Sequence, residues 1–224
     1  GFAVAPAAQL MPKPGQLDFH EAVALPCQGL TAYHALFTLG RLQEGQTVLL
    51  QAAAGGLGTL MVQMARNAGA TVIGTCGSAE KCALIRELGC HHPINYNEQD
   101  FAEEVRRITG GDGCALIVET VGGEVFDKSL RCLKARGMLI TLGLASAQPP
   151  TPVKPLDLLV HGSPLSANTA DAAAMAKALR DFHHWILDGK LKIITKHAYP
   201  LEEAAQAQQL VAGRQSVGKV ALLP

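Results

Sequence analysis

The chain has 224 residues, of which 48% are hydrophobic and 17% charged, a balance typical of a globular protein rather than a disordered one. Lysine plus arginine and aspartate plus glutamate are equal at 19 each, so no net charge draws the chain to nucleic acid or to an anionic membrane. No apolar run is long enough to span a membrane, and no signal peptide is recognisable. We expect one large or two small domains in the cytoplasm.

The stretch from Gln51 to Gly58 reads Gln-Ala-Ala-Ala-Gly-Gly-Leu-Gly and joins an apolar strand over 47–50 to an amphipathic helix over 59–69. It matches the pattern G-x-G-x-x-G, with Ala53 in the first glycine position, followed by Gly55 and Gly58. In such a turn the backbone approaches a pyrophosphate, and the helix N-terminus offers free N–H groups and a positive dipole end. The strand–turn–helix context therefore predicts a dinucleotide-binding turn.

Beyond this turn, short apolar strands alternate with helices. Ser78 is a candidate N-cap, and Gly69, Gly89 and Gly137 stand where helices are predicted to end. The alternation predicts an α/β fold, a doubly wound parallel-sheet Rossmann domain with helices on both faces. Further strands are predicted over 71–75, 92–96, 115–119, 138–142, 193–199 and 217–223, further helices over 78–88, 101–109, 125–133, 171–187 and 201–211, and a proline-rich loop over 148–155.

The six cysteines are scattered along the chain, and none belongs to a C-x-x-C pair. Most of them lie in or beside apolar stretches. We therefore expect reduced, mostly buried thiols in a cytosolic protein. They are Cys27, Cys76, Cys82, Cys90, Cys114 and Cys132.

The end of the second predicted strand indicates which nicotinamide cofactor fits. NAD sites usually carry Asp or Glu there, which accepts hydrogen bonds from the adenosine ribose. This chain has Gly-Thr-Cys-Gly-Ser over 74–78 and no carboxylate before Glu80, so nothing there repels a 2′-phosphate. Lys81 can supply a compensating positive charge, although it is as readily explained as a solvated helix residue. The pattern favours NADP(H) over NAD(H).

Together these motifs resemble the zinc-independent medium-chain dehydrogenase/reductases, and within them the NADPH:quinone oxidoreductase, or zeta-crystallin-like, group. The resemblance extends over essentially the whole chain. Besides the glycine turn it rests on Gly-Leu-Thr-Ala-Tyr-His-Ala over 29–35, Gly-Thr-Cys-Gly-Ser-Ala-Glu-Lys over 74–81, Ile-Asn-Tyr over 94–96, Ile-Thr-Gly-Gly over 108–111, Glu-Thr-Val-Gly over 119–122 and Ser-Val-Gly-Lys over 216–219.

The resemblance implies roles for individual residues. Lys81 and Tyr96 match positions that hold the 2′-phosphate, and the backbone of Gly56 and Leu57 matches positions that meet the pyrophosphate. Thr31 and the strand-end turn Leu142-Gly143-Leu144 match positions near the nicotinamide, and Thr31 is the one candidate for a catalytic role. The full set of candidate cofactor-binding residues is Thr31, Gly55, Gly56, Leu57, Gly58, Gly77, Ser78, Lys81, Tyr96, Leu142, Gly143 and Leu144.

Several of these residues have a purely structural alternative, which the sequence leaves open. Tyr96 can be a half-buried aromatic residue at a strand end. Thr31 can be the N-cap of a helix over 32–39. Gly143 can serve only to turn the chain after its strand.

Members of the group begin with a GroES-type catalytic domain that forms one wall of the active cleft. The resemblance therefore implies the end of that domain over 1–30, an NADP-binding Rossmann domain over 31–168, and a segment over 169–224 that returns to the catalytic domain. A truncated chain, a natural short form and a segment of a longer protein all stay open. The family's substrate-side tyrosine and asparagine lie in the part that is absent, so this chain alone can be inactive.

A catalytic zinc site is the main alternative chemistry. Zinc-dependent relatives place a ligand cysteine four residues before the position of Thr31, and Cys27 stands there. Catalytic zinc needs three protein ligands, and neither His20 nor His34 has a recognised spacing. We expect no metal and a buried Cys27 thiol, and we expect the pair His183-His184 to lie on a polar helix face.

Without zinc no strong Lewis acid polarises a carbonyl, so the acceptor must already be electrophilic. Quinones and α,β-unsaturated carbonyl compounds qualify. The first hypothesis is thus an NADPH-dependent reductase of such compounds, or its cofactor-binding part. The alternatives are an enoyl-thioester reductase domain and a non-catalytic NADPH-binding protein. The family pairs edge strands of two sheets, so we also expect a homodimer, with 163–168 as the pairing segment.

Overall fold

The computed structural model describes residues 10–149 and 172–223, together with residues 4, 6 and 152. The predicted pairing segment over 163–168 lies outside the described residues, as does most of the predicted loop over 148–155. Among the described residues, no helix is long and apolar enough to cross a membrane.

The centre of the fold is a five-stranded sheet whose order is β3-β2-β1-β4-β5. All four neighbouring pairs are parallel, with Val48 opposite both Val72 and Leu116. Going along the chain, strands are added first on one side of β1 and then on the other, which leaves a crevice at the carboxyl ends of β1 and β4. The doubly wound parallel sheet is thus confirmed. Its strands are β1 (Thr47–Leu50), β2 (Thr71–Cys76), β3 (His92–Asn95), β4 (Cys114–Glu119) and β5 (Leu133–Thr141).

Helices cover both faces of this sheet because its strands are apolar on both sides. Within β1, Val48 and Leu50 pack with Met61 in one buried cluster, whereas Leu49 packs with Phe126 in the other. The helices are α1 (Phe19–Ala22), α2 (Leu30–Tyr33), α3 (Gly56–Asn67), α4 (Ala79–Glu87), α5 (Phe101–Ile108), α6 (Gly123–Leu130), α7 (Ala172–Leu187) and α8 (Ala204–Ala212).

The helical backbone around α2 is longer than predicted. A π-helical turn, Leu25–Gly29, precedes α2 and a second one, His34–Leu39, follows it. Gly29 already has helical backbone angles (φ −62°, ψ −51°). The N-cap alternative for Thr31 is therefore wrong, because this residue lies inside a continuous helical stretch.

Two predicted glycine caps are confirmed and one is wrong. Gly69 and Gly89 end α3 and α4 with φ of +76° and +103°, the left-handed region in which a side chain is unfavourable. Gly137 instead lies inside β5, which starts five residues before the predicted strand. A Cβ atom there would lie 2.8 Å from the carbonyl oxygen of Cys114, so close strand packing explains this glycine.

The C-terminal part forms a second, two-stranded parallel sheet of β6 (His197–Pro200) and β7 (Val220–Leu223). A 3₁₀ turn, Leu201–Glu203, and α8 connect the two strands. The strand predicted over 193–199 is shorter than expected, since Thr195 makes only an isolated bridge to Gly218. Gly218 also bridges Gly55, which places this C-terminal part beside the glycine turn.

Candidate functional site

A cavity of about 790 Å³ opens at the carboxyl ends of the central strands. Gln51 after β1, Thr75 near the end of β2 and Val121 after β4 all line it. The cavity therefore lies at the point where the strand order reverses, the place at which doubly wound sheets bind ligands. We take it as the candidate site.

The glycine turn forms one wall of this cavity. Gly55 lines it and is the N-cap of α3, so the helix begins at Gly56 rather than at the predicted residue 59. Gly56, Leu57 and Gly58 form the first helical turn, whose N–H groups have no carbonyl partner within the helix. A Cβ atom on Gly58 would lie 2.4 Å from the carbonyl oxygen of Ala52, so the turn packs directly on the helix. This backbone can receive a pyrophosphate.

A buried polar network, which was not among the sequence predictions, holds the glycine turn in place. Gln51 Nε2 donates to Ser129 Oγ at 3.0 Å, and Thr75 Oγ1 donates to Gln51 Oε1 at 2.6 Å. Thr75 Oγ1 also accepts from the N–H of Ala52 at 3.3 Å. Gln51, Thr75 and Ser129 are all buried. The network ties β1, β2 and α6 together at the turn; its one sequence signal is a glutamine directly after an apolar strand.

Four predicted residues meet at one end of the cavity. Ser78 caps α4 as predicted, its Oγ accepting from the N–H of Lys81 at 3.3 Å. Gly77, Lys81 and Tyr96 line the cavity. The Tyr96 hydroxyl lies over Gly77, where an added Cβ atom would be 2.6 Å from it, and the Tyr96 side chain is 44% exposed. The ammonium group of Lys81 and the phenol of Tyr96 thus line the same cavity.

Arg214 was missed by the sequence reasoning, yet it lines the same cavity together with Ser216. It follows α8, with φ of +56°, and its carbonyl oxygen accepts a hydrogen bond from Lys81 Nζ at 2.7 Å. Among the described residues, neither Lys81 nor Arg214 forms an ion pair. Two cations without a carboxylate partner in that part of the chain favour a dianionic phosphate at this end.

The same cavity is also lined by charged side chains that are already paired with one another. Lys128 Nζ lies 2.9 Å from Asp100 Oδ2 and 3.4 Å from Glu124 Oε1. The hydrogen bond from Lys128 lowers the pKa of Asp100, and Asp100 also caps α5. Lys128 is therefore already paired with Asp100 and Glu124. Lys81 is thus the better candidate to bind a phosphate.

The predicted nicotinamide-side residues lie at the ends of β4 and β5, outside the lining of this cavity. The N–H of Leu142 bonds to the carbonyl oxygen of Glu119 at 2.9 Å. Gly143 passes close over Thr120, and Leu144 contacts Gly122. Their contact with a nicotinamide, like that of Thr31 in α2, stays a prediction.

Glu119 is a second residue that the sequence reasoning did not select. Its carboxylate is fully buried, and Oε1 accepts from the N–H groups of Val121 at 2.6 Å and Gly122 at 2.9 Å. Thr141 Oγ1 donates to Oε2 at 3.4 Å. The carboxylate thereby fixes the loop between β4 and α6 that borders the cavity.

The cysteines differ from the prediction at three positions. Cys76 and Cys82 are joined in a disulfide, so they are not reduced thiols. Cys27 is a free thiol but exposed, because the helical turn that carries it turns this side chain outward. Buried free thiols are confirmed for Cys90, Cys114 and Cys132.

The part of the chain that the structure describes does not form a zinc site. Among the described residues, no group of three or more His, Cys, Asp or Glu side chains could hold a metal ion. Cys27 thus lacks partner ligands in that part of the chain. His183 and His184 are exposed on α7, as predicted, with His184 3.3 Å from Asp188.

Comparison with known proteins places the chain among oxidoreductases. Residues 56–180 match a family described as zinc-binding dehydrogenase. The chain is 40% identical to a 2-haloacrylate reductase of Burkholderia sp, with 98% of the chain and 68% of that protein aligned. It is 33% identical to a quinone oxidoreductase of Pseudomonas aeruginosa, with 96% and 68% aligned. A mycobacterial protein solved in complex with NADPH has a TM-score of 0.92 and 32% identity, covering 98% of this chain and 69% of that one.

Proposed function

The chain belongs to the zinc-binding dehydrogenase family, in its zinc-independent quinone oxidoreductase-type branch, and we propose that it transfers hydride from NADPH to a quinone or an α,β-unsaturated carbonyl compound. The main support for this proposal is that Lys81, Arg214 and Tyr96 all line the cavity at the carboxyl ends of the central strands. The glycine turn at the start of α3 completes the binding surface.

In this proposal different residues of the cavity bind different parts of the cofactor. Lys81 Nζ, the Arg214 guanidinium and the Tyr96 hydroxyl hold the 2′-phosphate. The first-turn N–H groups of Gly56 and Leu57 receive the pyrophosphate, with the positive end of the α3 dipole behind them. The absence of a carboxylate between Gly74 and Ser78 removes the group that would repel the 2′-phosphate.

The protein's part in the reaction is to bind, orient and exclude water. NADPH would supply the hydride when bound, and in this proposal the acceptor is reactive enough to need no Lewis acid. Thr31, Gly143 and Leu144 border the nicotinamide ring. They hold the acceptor next to the ring in an orientation that allows hydride transfer. The proton reaches the product from solvent or from the Thr31 hydroxyl.

The choice of acceptor follows from this chemistry. A C=C bond conjugated to a carboxyl or carbonyl group, and a quinone ring, both accept hydride without Lewis-acid activation. One relative is named for the reduction of a 2-haloacrylate and another for that of quinones. These names support both acceptor classes, with the conjugated alkene favoured by the higher identity.

Two architectural features belong to the same proposal. Residues 1–30 and 169–224 contribute to a catalytic domain, and residues 31–168 form the cofactor domain. Two copies of the chain pair through their sheet edges in the cytoplasm. Light scattering with size-exclusion chromatography would test the dimer, and a monomer at micromolar concentration would contradict it.

The function is tested by binding and turnover on the same preparation. Calorimetric titration should give tighter binding of NADPH than of NADH. NADPH oxidation is then followed with a panel of quinones, 2-chloroacrylate and crotonyl thioesters. Preference for NADH, or no binding of either, would overturn the proposal. Turnover of the thioesters alone would favour an enoyl-thioester reductase, and binding without any turnover a non-catalytic protein.

A further inference from the structure

We propose that the disulfide between Cys76 and Cys82 is a reversible redox site that sets the affinity of the cavity for its phosphorylated cofactor. Cys76 is the last residue of β2, and Cys82 lies in the first turns of α4. Their Cα atoms are 6.0 Å apart, and the bond closes a loop around residues 77–81. The inference rests on the proposed function for the identity of the cofactor.

The closed loop holds two residues that line the cavity, Gly77 and Lys81, and the N-cap of α4, Ser78. Gly77 packs under the Tyr96 hydroxyl, Ser78 caps α4, and Lys81 is directly followed by Cys82. Cys76 itself lines the cavity. A change in the bond between the two sulfur atoms therefore acts on residues that would touch the 2′-phosphate.

The direction in which the disulfide changes NADPH affinity follows from chain entropy. A cross-link removes conformations of the loop that it closes, so the oxidised form holds Ser78 and Lys81 in fewer arrangements. A site that is already ordered loses less entropy when it binds a ligand. The oxidised form should therefore bind NADPH more tightly than the reduced form.

In the reduced form, the Cys76 thiol would have hydrogen-bond acceptors nearby. Cys76 Sγ lies 3.8 Å from the carbonyl oxygen of Ser78 and 3.7 Å from that of Ile94. After reduction, the Cys76 thiol can donate a weak hydrogen bond to one of these acceptors. The Cys76 thiol therefore has hydrogen-bond acceptors available after reduction.

The other buried cysteines are poor competitors in the exchange. Burial raises the pKa of Cys90 and Cys114 to about 12 and that of Cys132 to about 11. The thiolate is the nucleophile in thiol–disulfide exchange, and these three thiols stay protonated at neutral pH.

The reaction is an exchange with a dithiol reductant. One thiolate of the dithiol attacks a sulfur of the bond, the sulfur–sulfur bond breaks, and a mixed disulfide forms. The second thiol of the reductant displaces the remaining cysteine. Cys76 and Cys82 together gain two electrons and two protons, and the dithiol becomes a disulfide. Oxidation by a small disulfide reverses each step.

The experiment has a chemical readout and a binding readout on the full chain. Denaturation with a mass-tagged alkylating agent should label four cysteines in the oxidised protein and six after treatment with dithiothreitol, since four of the six cysteines are free in the structure. Calorimetry should give a dissociation constant for NADPH about three- to tenfold higher in the reduced form. In a dithiothreitol redox buffer, saturating NADPH should shift the reduction midpoint by the same factor, because coupling between two sites is reciprocal.

Two variants sharpen the test. Cys82→Ser cannot close the bond and should bind NADPH like the reduced protein, whatever the redox buffer. Cys132→Ser removes a thiol that bonds to the carbonyl oxygen of Lys128, and it should respond to reduction like the unmodified chain.

The outcomes of these experiments separate a failure of the redox inference from a failure of the proposed function. Six labelled cysteines before reduction, or equal NADPH affinity of the two forms, would overturn the inference and leave the proposed function intact. No NADPH binding in either form would instead overturn the proposed function and, with it, the cofactor-affinity role inferred for the disulfide. A redox response retained in Cys82→Ser would assign the effect to another cysteine and refute this one.

Discussion

Lys81 Nζ donates a hydrogen bond to the backbone carbonyl oxygen of Arg214 at 2.7 Å, across 133 positions of sequence. The contact joins α4, which packs on the five-stranded sheet, to the loop after α8. It brings two cations to one end of the cavity and leaves further Lys81 N–H donors for a ligand. Discrimination between NADPH and NADH should therefore depend on both side chains.

Lys81→Ala should weaken NADPH binding by about 10- to 100-fold, because a hydrogen bond to a charged group contributes about 1.5–3 kcal/mol. NADH, which lacks the 2′-phosphate, should bind with nearly unchanged affinity. Calorimetric titration with both cofactors measures the ratio. Lys134→Ala is the matched control, since Lys134 lies in β5 and pairs with Asp112, outside the cavity lining.

Arg214→Ala should also weaken NADPH binding. In both the Lys81→Ala and the Arg214→Ala variant, added salt should reduce NADPH affinity less than it does in the unmodified chain. Each variant has lost one of the charges that salt screens. Titrations at low and high salt test this. Equal losses for NADPH and NADH would show that the two cations do not contact the 2′-phosphate.

Gly58→Ala should destabilise the glycine turn. The added methyl group would meet the carbonyl oxygen of Ala52 at 2.4 Å, and overpacking of this kind typically costs about 1–3 kcal/mol. Thermal unfolding should shift to lower temperature and cofactor binding should weaken with it. Gly15→Ala is the control, because nothing lies within 4 Å of a Cβ atom there. An unchanged Gly58→Ala protein would contradict the close contact between turn and helix.

The central sheet was predictable because its signals are local. The runs over 47–50 and 71–75 are continuous apolar stretches, and β1 and β2 have nearly those bounds. Ser78 was predictable because an N-cap is defined by one side chain and the helix that follows it. In both cases the pattern that predicts the element lies within the element itself or directly beside it.

The missed features depend on contacts between distant or differently folded segments. Arg214 reaches the cavity through a loop that no local pattern connects with α4. The helical turns around Thr31 are π-helical, a geometry without a distinct sequence period. Cys76 and Cys82 were interpreted from their spacing and apolar surroundings, whereas their bond depends on how β2 turns into α4.

Glu119→Ala should lower the free energy of unfolding by about 3 kcal/mol. The substitution leaves the N–H groups of Val121 and Gly122 without their buried acceptor, at about 1–3 kcal/mol for each unsatisfied group. Glu119→Gln keeps one carbonyl acceptor and should cost less. Urea unfolding of both variants gives the comparison. A Glu119→Ala variant as stable as the unmodified chain would show that the carboxylate does not hold the loop.

Stability should also fall as the pH rises above 9. Cys90, Cys114 and Cys132 have pKa values raised by burial to about 12, 12 and 11, against a reference of 9.0. Below pH 9 these thiols are protonated in both the folded and the unfolded chain, so their contribution is fully present. Above pH 9 the unfolded chain releases protons that the folded chain retains, and the contribution is lost progressively up to pH 11–12.

Cys114→Ala isolates one of these thiols from the other groups that titrate at alkaline pH, Tyr33 among them, whose pKa burial also raises. The variant loses packing at every pH, so its slope rather than its absolute stability is the measurement. Each buried thiol contributes up to about 1.4 kcal/mol per pH unit to that slope. Urea unfolding at several pH values above 9 should therefore give a shallower decline for Cys114→Ala than for the unmodified chain. Parallel slopes would mean that Cys114 ionises equally readily in both states, which its complete burial opposes.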